Sequence, residues 1–210
     1  MKAGRIARLY RWIEYLAYGR VLERSRFVFL DRLRNARRIL VLGEGDGRAL
    51  TRLVEIASSA QIDVVEMSPE MIALAKARLG GRGRVRFHEQ DARWANLPGG
   101  RYDGIATLFF LDCFQPDELR DVVTRLAAAL TVDGVWLVTD FAIPPHGWRR
   151  WHARMLVSTM YFFFRITTGL AARELPPIAG ALIDAGLRCV EREESRAGLI
   201  RAEVWSAKKS

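Results

Sequence analysis

The chain has 210 residues, half of them hydrophobic and 27% charged, with a net charge of +9. That apolar share supplies a buried core and excludes a disordered chain, while two distant cysteines, Cys113 and Cys189, exclude a disulfide scaffold or a multi-cysteine metal site. No run reaches the roughly 18–20 apolar residues that span a bilayer, and the basic start lacks a signal peptide's apolar stretch, so the expectation is a cytoplasmic domain.

The charge is uneven. Residues 1–38 carry eleven Lys/Arg against three acids, and residues 144–173 carry five arginines and no acid, which leaves a net −4 elsewhere. A slightly acidic body therefore bears two basic segments, read either as solvated helix surface or as one face for an anionic or membrane-bound partner.

In chain order, Ile6, Leu9, Tyr10, Ile13, Leu16 and Ala17 recur at helical spacing, and Gly19 separates this helix from a second one running to Asn35. Arg38–Leu42 is a short apolar run that stops at Gly43-Glu44-Gly45-Asp46-Gly47, with a helical stretch behind it: strand, glycine turn, helix. Ile62–Glu66 predicts a second strand. Ser68, Pro69 and Glu70 then supply the N-cap, first-position proline and first-turn acid of a helix that Gly80 and Gly81 end. Val85–His88 and Tyr102–Phe110 predict strands three and four, Asp117–Leu130 a helix, and Val135–Phe141 a fifth strand after the Asp133-Gly134 turn. Beyond Pro144-Pro145 a helical insertion is expected over 147–169. A short helix follows Pro176-Pro177, and Leu187–Arg192 and Leu199–Ser206 close the chain as an antiparallel hairpin.

Strands alternating with helices predict an α/β fold with a doubly wound, mostly parallel sheet. The expected organisation is one domain over 1–210. It has an N-terminal helical arm (1–36), a cofactor-binding core (37–143), a helical insertion or lid (144–175), and a C-terminal helix and hairpin (176–210).

The glycine turn lets a ligand approach the backbone closely. Its spacing is G-x-G-x-G with Arg48 in the sixth position, so it is neither the dinucleotide fingerprint nor a Walker loop. Glu66, 23 residues after Gly43 at the end of the second strand, can accept hydrogen bonds from both ribose hydroxyls of an adenosine, and Asp91-Ala92, past the third strand, can meet an adenine amine.

With these residues in this order the chain resembles the class I S-adenosylmethionine-dependent methyltransferases. VLGEGDGRAL (41–50) is similar to their first motif, VVEMSPEMIALAKAR (64–78) to the second and FHEQDARWANLP (87–98) to the third. YDGIATLFFLDCF (102–114) is similar to the fourth and LTVDGVWLVTDF (130–141) to the fifth. The resemblance covers about 38–206 and implies a seven-stranded Rossmann-like sheet, an S-adenosyl-L-methionine cofactor and S-adenosyl-L-homocysteine as product. It also implies cofactor contacts. Gly43, Gly45 and Gly47 would meet the methionine part, with Glu44 and Asp46 near its amino group. Glu66 would hold the ribose, and Met67 would pack on the adenine with Met71 close by. Asp91 and Ala92 would lie at the adenine edge, and Leu108 and Phe109 would flank the methionine arm. For both methionines plain core packing is the competing reading.

The acceptor is read less sharply. The fourth motif lacks the Asn/Asp-Pro-Pro-aromatic run of nucleobase amino-methylases, and the asparagine of a metal-dependent catechol site is missing beside Asp112 and Asp140, so no metal is expected. The arm and insertion are expected to select the acceptor, with Tyr10, Asp112, Cys113, Phe114, Trp151 and Met155 lining its site. His146 and His152 are the candidates to orient or deprotonate an acceptor hydroxyl, while His88 is read as structural and Cys113 as a small packing residue rather than a nucleophile. The insertion's Tyr-Phe-Phe and Thr-Gly runs look like those of ubiquinone/menaquinone-type small-molecule methyltransferases, although the more specific quinone-enzyme segments are absent. The leading expectation is methylation of a small apolar or anionic molecule by in-line transfer, with peripheral membrane association through the basic aromatic insertion left open. An RNA-methylating enzyme or RNA binder is the alternative, disfavoured because the basic segments are rich in apolar residues and carry no RNA module. A non-catalytic cofactor-binding protein is a third reading.

Overall fold

The computed structural model describes residues 20–207 except 44, 98–101, 145–146, 149, 152, 156 and 159–173. The expected first helix of the arm, with Tyr10, lies outside the described residues. The second is shorter than its spacing predicts: α1 covers Arg20–Phe27, and a 3-10 turn at Leu30–Leu33 leads into the sheet. Leu30 and Leu33 are fully buried there, so packing rather than helical period sets the turn.

The core alternates as read: β1 (Arg38–Leu42), α2 (Arg48–Ile56), β2 (Gln61–Glu66), α3 (Pro69–Leu79), β3 (Arg84–Glu89), β4 (Tyr102–Leu108), α4 (Pro116–Ala129) and β5 (Leu130–Phe141). Then come α5 (Ile178–Asp184), β6 (Leu187–Ser195) and β7 (Ile200–Ala207). The seven strands line up as β3-β2-β1-β4-β5-β7-β6. The first five are parallel, and β7 runs antiparallel to both β5 and β6. The direction of winding reverses between β1 and β4. Ligands of open α/β sheets bind at the carboxyl edge of that switch point.

A strand buried on both faces must be apolar at every position. In β1, Ile39 and Val41 point into a core beneath α2 and α3, while Leu40 and Leu42 point into a second core beneath α4 and α5. Trp136 and Trp205 fill the second core, and each indole N–H is satisfied: Trp136 donates to Thr107 Oγ1 at 3.0 Å and Trp205 to Glu203 Oε2 at 3.0 Å. A third cluster caps the carboxyl edge, where Leu22 of α1 and Ala153 and Val157 of the insertion pack on Phe141, Leu199 and Ile200.

Several boundaries moved, most by one residue, and β6 runs to Ser195, three residues beyond its expected end. β5 starts at Leu130 because that buried residue takes extended backbone immediately after α4, and pairing with β4 then jumps from Tyr102↔Leu130 to Gly104↔Val135. β4 ends at Leu108, two residues early, because Phe109 turns left-handed at φ 58°. In the insertion the described residues of 148–158 are helical, and the remainder of the expected 147–169 helix is outside the described residues.

His88 is structural in its surroundings. Its Nε2 lies 3.1 Å from the buried carboxylate of Asp63, which also accepts from Tyr102 Oη at 3.2 Å. Burial and the Asp63 charge push the Tyr102 phenol up to about 12.

Candidate functional site

The carboxyl ends of β1, β2, β3 and β4 meet around the glycine turn. Gly43, Gly45 and Gly47 all have left-handed backbone, at φ 65°, 67° and 85°. The three are glycine for different reasons. A Cβ on Gly43 would fall 2.1 Å from the Phe110 ring, and one on Gly47 2.7 Å from the backbone Cα of Ala75 in α3. A Cβ on Gly45 would meet nothing within 4 Å. Gly45 therefore faces open space, and its bare backbone is the cradle a ligand can approach. Gly47 caps α2, and no acid occupies the first turn of that helix, so its free N–H groups favour a negative group in front of them.

Asp46 is tied down. Its carboxylate is 3.1 Å from both Arg48 Nε and Arg78 Nη2, and its carbonyl accepts from Arg78 Nε at 2.9 Å. The carboxylate staples the loop to α3. Glu44 lies outside the described residues.

Glu66 is half-buried at the last position of β2. Its Oε1 accepts from Ser68 N at 2.9 Å, and no donor among the described residues reaches Oε2. One oxygen thus fixes the carboxylate and the other is available to a ligand hydroxyl. Met67 is 63% exposed beside it, which removes the core reading for that methionine. Met71 is half-buried, its N–H donating to the Ser68 cap at 3.3 Å.

The loop after β3 is held by two arginines that the sequence did not single out. Arg93 grips Asp91 through Nε and Nη2, at 2.9 and 2.6 Å to Oδ2, and reaches Glu118 of α4 at 3.2 Å. That guanidinium holds the Asp91 carboxyl below the usual range, and the two acids raise Arg93 in turn. Arg125 of α4 donates to the carbonyls of Ala92, Arg93 and Ala95 at 2.8, 2.7 and 3.2 Å. An arginine in the third turn of a helix gives no sequence signal that it clamps a distant loop. Asp91 and Ala92 end half-buried on this clamped loop.

At the end of β4 Leu108 is buried, and Phe109 just after it lies between α1 and β5. Its ring centroid is 5.2 Å from that of Phe141 and 5.2 Å from the Arg26 guanidinium carbon. The turn that follows is built on Asp140. Its two carboxyl oxygens accept from Phe110 N at 3.1 Å and Leu111 N at 3.2 Å, and its side chain is hydrogen-bonded to that of Asp112. Both aspartates are buried. Two buried carboxyls in hydrogen-bond contact keep a proton. Burial pushes both above the ordinary carboxylate range, and the Asp112 charge pushes Asp140 further. Cys113 Sγ lies 3.5 Å from Asp112 Oδ1. Desolvation and the charges of Asp112, Asp140 and Glu66 raise this thiol, so it stays protonated rather than nucleophilic.

The sign of the pH dependence follows. A carboxyl raised on folding adds stability in acid and loses it as pH climbs from about 4 through its folded value. Asp112→Asn keeps a hydrogen-bond donor toward Asp140 and removes one charge. Relative to this variant, wild-type stability is expected to fall with rising pH across that window, read as urea midpoints over a pH series. A wild-type-minus-variant difference that is flat with pH would show that the pair holds no extra proton.

Of the acceptor-lining candidates, Asp112 and Phe114 are buried, Phe114 edge-on to Phe110 at 5.1 Å, and Cys113 is exposed on the same turn. Trp151 and Met155 are 69% and 49% exposed on the helical segment 148–158. His146 and His152 lie outside the described residues. The arm does reach the site: Glu23 of α1 sits 3.6 Å from Arg48, and Ser25 bridges to Ser195 at 3.0 Å.

The strand order and the antiparallel closing hairpin match a Rossmann-like methyltransferase fold. Comparison with known proteins agrees: residues 39–134 match the family described as "Methyltransferase domain". Over 149 residues the chain is 32% identical to demethylmenaquinone methyltransferase of Thermus thermophilus, covering 70% of this chain and 64% of that protein. Among solved structures it is similar to an O-methyltransferase family protein of Burkholderia thailandensis. The TM-score is 0.71 at 19% identity, covering all of this chain and 64% of that one. It is also similar to the N-methyltransferase NodS of Bradyrhizobium japonicum in complex with S-adenosyl-L-homocysteine, with a TM-score of 0.65 at 16% identity, covering 90% of this chain and 88% of that one. Methyltransferases of this fold take S-adenosylmethionine as cofactor. The residues present fit it at the open Gly45 backbone and the Glu66 oxygen that no described donor reaches.

Proposed function

We propose that the protein transfers a methyl group from S-adenosylmethionine to a small apolar or anionic molecule. The observation that carries this reading is Glu66, anchored through one oxygen at the end of β2 with the other reached by no donor among the described residues, across from a glycine backbone that opens to space. When bound, the cofactor supplies an electrophilic methyl group on a sulfonium. The chain's part is binding and alignment. The Gly43–Gly47 backbone and the N-terminus of α2 receive the amino-acid end. Glu66 takes the ribose, with Met67 and Met71 beside the adenine. The Arg93–Asp91–Glu118 clamp holds Ala92 at the adenine edge, and Leu108 and Phe109 flank the methionine arm. Displacement at a sulfonium has a good leaving group, so orientation and exclusion of water suffice. If a base takes part, His146 and His152 remain its candidates.

The organisation proposed is a core over 37–143, with the arm (1–36) and insertion (144–175) on the acceptor side and 176–210 closing the sheet. The likeness to a demethylmenaquinone methyltransferase supports an apolar, quinol-like acceptor, and the third cluster, where arm and insertion meet at the carboxyl edge, supports an enclosed one. The test is transfer of radiolabelled methyl from S-adenosylmethionine to a cell extract, split into organic, aqueous and acid-precipitable fractions. Label in the organic or aqueous small-molecule fraction is expected. Label confined to the precipitate would point to a macromolecule, RNA included.

A further inference from the structure

The insertion helix has two unlike faces. Ala153 and Val157 are buried against Leu22 of α1, Phe141 and the start of β7, which fixes the helix on the body of the protein. On the side away from that contact, Trp148, Trp151 and Met155 are 71%, 69% and 49% exposed. They follow one another at three- and four-residue spacing and so form a single stripe along the axis. Arg150, Arg154 and Ser158, all exposed, flank the stripe on one side. Across 144–173 the sequence carries five arginines and no acid. Two tryptophans and a methionine with this much apolar surface exposed on one face mark a contact surface. No helix among the described residues is long and apolar enough to cross a membrane.

We propose that this face docks on the surface of an anionic lipid bilayer. The indoles and Met155 enter at headgroup depth, and the guanidiniums of Arg150 and Arg154 reach lipid phosphates. A bilayer fits better than nucleic acid because the stripe mixes an aliphatic thioether with the aromatics, and the cations among the described residues, Arg150 and Arg154, lie beside it rather than between the rings. That is the pattern of a helix lying in an interface, not of bases stacked along a basic groove. Trp151 and Met155 thus act at the outer surface. The inference does not depend on methyl transfer, since lipid binding is measured without cofactor or acceptor.

The experiment is co-sedimentation of the full chain with vesicles of phosphatidylcholine alone or with phosphatidylglycerol added, beside Trp148→Ser/Trp151→Ser and Arg150→Gln/Arg154→Gln. Binding is expected to vesicles containing phosphatidylglycerol and to weaken with salt. The arginine variant is expected to bind about 30-fold more weakly, and the tryptophan variant at least about tenfold more weakly. Exposed positions should leave the melting temperature of both variants near that of the wild type, so loss of binding is not loss of fold. Three results would overturn the proposal: no binding to either vesicle, equal binding to both, or wild-type binding by the tryptophan variant. RNA capture without vesicle binding, or a dimer that the tryptophan variant dissolves in a protein that ignores vesicles, would assign the face to those partners instead.

Discussion

Glu66→Ala is expected to lower the affinity for S-adenosylhomocysteine by about 10- to 100-fold, the loss of one or two hydrogen bonds from a charged acceptor. The fold should survive. Among the described residues the carboxylate accepts one hydrogen bond, from Ser68 N at 2.9 Å, on a half-buried residue at a strand end. α3 keeps its Ser68 cap, where Oγ accepts from Met71 N, and its Pro69 start, so the helix does not need Glu66 to begin. Calorimetry with S-adenosylhomocysteine reads the binding and urea unfolding reads the fold. Glu66→Gln separates charge from shape. It can still accept at one oxygen, and the expectation is an intermediate loss. Unchanged affinity in Glu66→Ala would sink the ribose assignment and, with it, the observation on which the proposed function rests.

How far the sequence could be read depends on the range of the forces involved. β1 was legible because a central parallel strand must be apolar at each position, and Ile39–Leu42 are. The start of α3 was legible because serine, proline and glutamate act on the backbone within a few residues of themselves. The glycine turn and Glu66 were legible for the same reason, as backbone freedom at a strand end and a carboxylate at the next. What the sequence hid is long-range. Nothing near Arg125 in the chain says that it will hold three carbonyls some thirty residues away, and nothing near Asp140 says that it will capture the amides of Phe110 and Leu111. That capture shortened β4 from its apparent end at Phe110. In sequence Asp112 reads as an acid lining the acceptor site and, with Asp140, as an acid near a metal motif. Their burial together, and the proton they keep, is a property of the packed sheet edge.

Gly45→Ala and Gly47→Ala look alike in sequence and are expected to fail in different ways. Both glycines are left-handed, so either alanine costs about 1–2 kcal/mol of backbone strain. At Gly47 the new methyl would also lie 2.7 Å from Ala75 Cα and 3.0 Å from Ala75 Cβ. The interior of α3 cannot withdraw without breaking its own packing, and overpacking adds about 1–3 kcal/mol. Gly47→Ala should therefore show a large fall in urea midpoint, with weaker cofactor binding following from the damaged fold. At Gly45 the methyl meets nothing within 4 Å, so the stability loss stops at the strain. Its methyl points into the space that a ligand on the loop would occupy, and the affinity for S-adenosylhomocysteine is expected to drop by more than tenfold, beyond what the strain accounts for. The informative quantity is the ratio of the two effects in each variant: Gly47→Ala loses stability first and Gly45→Ala loses binding first. If Gly45→Ala binds as the wild type does, the ligand does not approach through this turn, and the open backbone at Gly45 is only a loop apex.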